Sequence, residues 1–146
     1  MGMFDGMEIS ASGLTAERMR MDVVAQNLAN AQTTRGADGQ PYRRKEVVLA
    51  ERQSEGTFGA ALAGAMTSGK PAGVEVAAIT EDQTPLKQVY DPGHPDADET
   101  GYVQMPNVDS VSEMVDLISA QRAYEANVTA MQAAKQMFSK TLELLR

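Results

Sequence analysis

The chain has 146 residues, about the size of one domain, and no cysteine, which excludes a disulfide framework, a thiolate metal centre and a cysteine nucleophile. A formal net charge of −7 argues against the phosphate backbone of a nucleic acid as its main ligand. The longest weakly apolar run, TFGAALAGAMTSG at 57–69, is mostly Ala and Gly and falls short of the ~20 residues that cross a bilayer.

The first residues, MGMFDGMEIS, carry Asp5 and Glu8 and no early Lys or Arg, so no cleavable secretory signal is expected. Residues 1–31 form the first zone, with a helix predicted over 3–31. Met7, Leu14, Met21 and Leu28 recur every seven residues, and Val24, Ala25 and Ala31 widen that stripe. Ser10 and Glu17 occupy the other row of the seam, and Gly13 lowers helix propensity by ~1 kcal/mol. Asn27, Asn30, Thr33, Thr34 and Gly36 mark the helix end. Asn27 and Asn30 fit either of two roles, capping the helix or cross-linking helices.

Residues 32–106 form the second zone, a β and loop insertion. Asp38-Gly39 and Pro41 predict a turn, and YRRKEVVLAE at 42–51 predicts a strand. Arg43-Arg44-Lys45 reads as a solvated basic edge that blocks strand pairing. The Gly- and Ala-rich segment 52–72 predicts a flexible loop. GVEVAAIT at 73–80, LKQVY at 86–90 and GYVQM at 101–105 are further strands, expected to make one small β appendage. His94 lies among Asp91, Asp96, Asp98 and Glu99. That set could hold a metal ion or supply an acid–base pair for a small enzyme. The absence of a second His, a Cys or a nucleophile pattern favours a stiff connector instead, braced by Pro92, Pro95 and Pro106.

Residues 107–146 form the third zone, one long helix. Leu117, Tyr124, Met131, Phe138 and Leu145 repeat every seven residues, with Met114, Gln121, Val128, Lys135 and Leu142 between them, a heptad seam over about four repeats. Ser110-x-x-Glu113 predicts a capping box at its start. Gln121 and Lys135 interrupt the seam as register-setting or boundary positions. Arg122 and Glu125 read either as an intersubunit pair or as solvated charges. Val111, Val115, Ile118, Ala123 and Ala130 lie off the seam and make a second apolar face. A helix apolar on two sides predicts partners beyond the N-terminal helix, and with them terminal segments that become ordered only on assembly. The fold class expected is therefore mainly α with a small β insertion. Its two long terminal helices form an antiparallel, coiled-coil-like hairpin packed into a tubular assembly.

The two ends together resemble the flagellar rod, hook and hook-associated axial proteins. The N-terminal pattern is Ser12-Gly13-Leu14-Thr15-Ala16 followed by Asn27-Leu28-Ala29-Asn30-Ala31 with Thr33-Thr34. The C-terminal pattern is Asn107, Val108, Val111, Glu113, Met114, Ile118, Ala120, Arg122, Ala123, Tyr124, Ala126 and Asn127. PYRRKEVV and YDPGHPDADETGYVQMPNVDSVSEM look like the proximal-rod, C-type branch of the basal-body rod family. The resemblance implies a structural protein rather than an enzyme, with no cofactor and no metal. It is expected to be exported unfolded by the flagellar type III apparatus and to assemble in the periplasmic rod, a drive shaft from rotor ring to hook around the export channel. Its implied partners are further copies, other rod proteins, and the rotor (MS) ring and export-gate adapter at the rod base. A shorter, needle-like type III subunit is the alternative, which the long middle zone disfavours.

Overall fold

The computed structural model describes residues 3–36, 38–52 and 73–144. Most of the expected flexible segment 52–72, and Leu145, lie outside the described residues. The elements in chain order are α1 (Met3–Ala29), β1 (Lys45–Glu51), β2 (Val74–Glu81), β3 (Lys87–Tyr90), β4 (Tyr102–Met105) and α2 (Ser110–Leu144). Among the described residues the architecture is two helices with two small antiparallel sheets between them in the chain.

Helix α1 stops two residues before the sequence pattern does. Asn30 folds back so that its Nδ2 donates to the Gln26 carbonyl at 2.8 Å, while Thr33 Oγ1 donates to Asn30 Oδ1 at 3.2 Å. These local bonds compete with continuation of the helix. Strand β1 starts at Lys45 rather than Tyr42, because the preceding backbone is committed elsewhere. The Tyr42 N–H donates to the Thr33 carbonyl and the Arg44 N–H to Asn107 Oδ1.

The expected single β appendage is in fact two separate sheets. β1 pairs antiparallel with β2, from Lys45 opposite Glu81 to Glu51 opposite Val74, with a bulge between Val48 and Leu49. β3 pairs antiparallel with β4, and the Tyr90 and Tyr102 rings meet edge-on at 5.3 Å. Sequence pattern finds strands but not which strand completes which sheet.

The helices pack on each other. Asn27 of α1 meets Glu113 of α2, and Gly13 lies against the Asn127 carboxamide. Each interval is fourteen residues (27 − 13 and 127 − 113), traversed in opposite order on the two helices, or ~21 Å of axis. The inward row of α2 is Glu113, Ala120, Asn127 and Ala134, with Leu117, Tyr124, Met131 and Phe138 beside it. Within the chain, Met114, Gln121, Lys135 and Leu142 are exposed and only Val128 of that expected row is half-buried. The inward row therefore sits one residue earlier than the bulky side chains suggest. On α1 the buried residues are Ala16, Val23, Val24 and Asn27, while Leu14, Met21 and Leu28 are half-buried and Ala25 is exposed. Small side chains let the helices approach, and the bulky ones flank the contact. At Gly13 an added Cβ would come within 3.0 Å of the Asn127 amide, so the glycine is the close-approach point.

Candidate functional site

The largest fully buried side chain among the described residues is a glutamate, Glu113, with Asn27 also below 2% exposure. Buried polar groups are costly unless hydrogen-bonded, and both are satisfied. Asn27 Nδ2 donates to the Lys45 carbonyl at 2.8 Å and to Glu113 Oε2 at 3.0 Å. Asn27 Oδ1 accepts from the Lys45 N–H and from the Tyr42 hydroxyl, each at 2.9 Å. All four hydrogen-bonding positions of the carboxamide are used.

Glu113 Oε1 accepts from Arg44 Nε at 2.5 Å. The other Arg44 nitrogens reach Glu46 and, at 3.2 Å, Asp116. Burial alone would lower the Arg44 pKa, but the Glu113 hydrogen bond and the charges of Glu113, Glu46 and Asp116 outweigh it, and the net shift is upward. Burial, then the negative charges of Glu113 and Glu81, raise the Tyr42 hydroxyl, which stays protonated to serve Asn27. Asn107 extends the network. Its Oδ1 accepts from the Arg44 N–H at 2.9 Å, and its Nδ2 donates to the Asp82 carbonyl and to Thr84 Oγ1. Asp82 in turn accepts the Thr84 N–H, the main reason its carboxyl lies below the usual range.

This knot joins α1, the entry to β1, the exit from β2 and the first turn of α2. It overturns two sequence expectations. Arg44 is not a solvated edge charge, because three carboxylates surround it. The helix start is not a Ser110–Glu113 capping box either. Asp109 is the cap: its carboxylate accepts from the Val111 N–H at 3.3 Å and the Ser112 hydroxyl at 3.1 Å. Glu113 is thereby free to turn inward. The sequence pattern marks Asn27 and Asn107 but not Tyr42 and Arg44 as their partners, nor Asp109 as the helix cap. The spacing of a basic cluster before a strand and an acid in the first turn of a helix was the available signal.

The remaining sequence-derived residues are scattered. Asn30 closes the end of α1. Asn127 Nδ2 donates to the Ala123 carbonyl at 3.0 Å while lying on Gly13. Arg122 is exposed, and Gln121 reaches Glu125 one turn on, at 3.5 Å. His94 Nδ1 accepts the Asp96 N–H at 3.1 Å. The Asp96 carboxylate holds Arg35 at 2.7 Å and the Thr34 hydroxyl at 2.9 Å, tying the 91–98 loop to the chain leaving α1. Among the described residues no group of three metal-ligating side chains occurs, and none of their helices is long and apolar enough to cross a membrane.

Beyond the knot, apolar side chains remain outside. Val111, Met114, Val115 and Ile118 are 46–65% exposed along the first turns of α2, and Met137, Leu142 and Leu144 are exposed near its end. A groove of about 400 Å³ opens between α1 and β1, lined by Arg20, Val23, Val24, Val47, Leu49 and Asp116 among others.

Residues 7–37 match the family described as Flagella basal body rod protein, and residues 99–144 match that described as Flagellar basal body rod FlgEFG protein C-terminal. The chain is 53% identical to the flagellar basal-body rod protein FlgC of Bacillus subtilis, covering 97% of each chain. It is 45% identical to FlgC of Borreliella burgdorferi over 100% of this chain and 99% of that one. It is 47% identical to FlgC of Escherichia coli O157:H7 over 99% and 98%. The two matched ends carry the helices α1 and α2. The chain therefore belongs to the flagellar basal-body rod proteins, as a structural subunit of that rod and not an enzyme.

Proposed function

We propose that the chain builds the proximal rod, a periplasmic drive shaft that transmits torque from the rotor ring to the hook and encloses the export channel. In this reading α1 and α2 form an antiparallel, coiled-coil-like hairpin, bundled with the hairpins of neighbours into a helical tube. The opposite order of the Asn27–Glu113 and Gly13–Asn127 contacts supports the hairpin. The observation that carries the tube is the exposed row Val111, Met114, Val115 and Ile118, on a helix that already packs on α1 through another face. An apolar row of that kind on a surface helix is a surface for other chains. Leu14, Met21, Val24, Leu28, Leu117, Tyr124, Val128, Met131 and Phe138 then serve first within the hairpin, while Met114 and Leu142 face neighbours. The partners are further copies, the other rod proteins, the rotor ring and export-gate adapter at the base, and the type III export apparatus that delivers the chain unfolded.

Ile118→Glu tests this, since Ile118 is 51% exposed and lies outside the packed face. The isolated chain should keep its stability to within ~0.5 kcal/mol, as an exposed substitution does. Cells carrying it should export the protein yet build no rod and fail to swim. Normal motility with Ile118→Glu would remove the surface from the assembly. Tyr124→Glu is a weaker test, because Tyr124 is half-buried within its own chain.

A further inference from the structure

The contact between α1 and α2 has two ends with different requirements. At one end Gly13 lies against Asn127, and Ala16 and Ala120 are buried. The Asn127 carboxamide is bonded within its own helix, to the Ala123 carbonyl. Small surfaces of that kind close without help from residues 32–106. At the other end the facing residues are Asn27 and Glu113, both fully buried and both polar. Their side chains make one bond to each other. Every other side-chain bond described for them goes to residues 42–45: the Lys45 N–H and carbonyl and the Tyr42 hydroxyl for Asn27, and Arg44 Nε for Glu113. Among the described residues, both ion pairs that join the first turns of α2 to the insertion are Arg44's, to Glu113 and Asp116. Arg44 is itself placed by the β1–β2 sheet. Its carbonyl accepts the Asp82 N–H at 2.8 Å where β2 ends, and its N–H donates to Asn107 Oδ1 at 2.9 Å. Without that placement, closing α2 on α1 at this level buries a carboxylate against one amide and no cation, which costs more than leaving both in water.

We infer that Asn27, Glu113 and Arg44 form a folding checkpoint: the first turns of α2 seat on α1 only once the β1–β2 sheet has formed. An apolar pair at 27 and 113 would seat the helices as well, and would do so whether or not the sheet existed. A buried ion pair adds little net stability over apolar residues of similar size, but it makes docking conditional on the arrival of its partner. The condition falls on the turns that carry the assembly surface. Val111, Met114, Val115 and Ile118 flank Glu113 and form the exposed apolar row. This consequence rests on the reading of the chain as a rod subunit: a chain whose insertion is unfolded does not present that row in its assembled orientation.

The natural chain has no cysteine, so Ala25→Cys and Ser119→Cys, both at exposed positions, take a pair of spin labels that reports the helix separation near Glu113. Ala78→Pro breaks the β1–β2 ladder opposite Val48 and touches no side chain of the cluster. Asn27→Leu with Glu113→Leu makes the facing pair apolar and leaves Arg44 with Glu46 and Asp116. Distances are read by pulsed electron spin resonance in concentrated protein, diluted with unlabelled chain of the same sequence. With the native pair a narrow distribution is expected, and Ala78→Pro should broaden it. With the apolar pair the distribution should stay narrow with or without Ala78→Pro. A narrow distribution for Ala78→Pro with the native pair overturns the checkpoint, and so does equal broadening in both backgrounds. Glu113→Gln is the second arm, because an amide needs no cation. Arg44→Ala should broaden the distribution in the native background and leave it narrow beside Glu113→Gln; broadening in both contradicts the inference. In cells, Ala78→Pro with the native pair should lose incorporation into basal bodies, and undiminished incorporation contradicts the inference. Absence of the unaltered chain from basal bodies overturns the rod reading alone, since the distances are read on the free chain.

Discussion

Replacing Asn27 by Ala removes the residue on which the knot turns. Four hydrogen bonds disappear, leaving the Lys45 N–H and C=O, the Tyr42 hydroxyl and Glu113 Oε2 without that partner. Three are neutral bonds worth ~1 kcal/mol each, and the bond to the carboxylate is worth ~1.5–3. Their sum is ~5 kcal/mol, which water entering through the adjacent groove reduces to ~3 kcal/mol. Against a typical total of ~5–15 kcal/mol this is a large fraction. Asn30→Ala is the matched control, because its bonds are confined to Gln26 and Thr33 at the helix end. Its expected cost is ~0.5–1 kcal/mol, that of a lost local bond. The assay is urea unfolding followed by far-UV circular dichroism at one fixed protein concentration, because association contributes to apparent stability. A midpoint shift several times larger for Asn27→Ala than for Asn30→Ala, with the slope unchanged, is expected. Equal shifts would refute the assignment of Asn27 as the cross-link and Asn30 as the local cap.

The raised hydroxyl pKa of Tyr42 gives a pH dependence of known sign. A group whose folded pKa lies above the unfolded value of ~10 contributes stability that is present below pH 10 and lost as pH rises through the folded value. Tyr42→Phe should cost ~1 kcal/mol at neutral pH, the worth of its hydrogen bond, and flatten the alkaline limb of a stability–pH profile; an unchanged limb contradicts this. Gly73→Ala should destabilise by ~1–3 kcal/mol, since φ is +92° and the new Cβ would fall 2.3 Å from Ser12 Oγ. Thermal melts that show no loss would disprove that close approach. Asp109→Ala should lower stability by ~1 kcal/mol while Ser110→Ala changes it little, the reverse of what a Ser110 capping box requires. Finally, helicity of the free chain measured over serial dilution separates assembly-coupled ordering from independent folding: a fall on dilution is expected, and concentration-independent helicity and melting would exclude it.

The elements were legible because their signals are local. Period-seven apolar spacing marks both helices, and alternating β-branched runs bounded by Gly and Pro mark four strands. The paired terminal patterns and the intervening YDPGHPDADETGY run were enough to place the family. Which asparagine cross-links and which caps was not legible, because Asn27 and Asn30 stand three residues apart in the same pattern and differ only in what lies opposite. Nor was the inward row. Bulky side chains dominate any hydrophobic count, whereas close helix approach selects small ones, so Ala120 and Ala134 carry little weight in the pattern and much in the contact.

By itself, then, the order of residues determined where helices and strands form, since those depend on neighbours within a few positions. Tertiary structure alone decided that Arg44, an apparent surface charge, meets a fully buried Glu113 sixty-nine residues away. A charge's cost or benefit depends on its burial and its partners, and both are properties of the packed chain rather than of its local sequence.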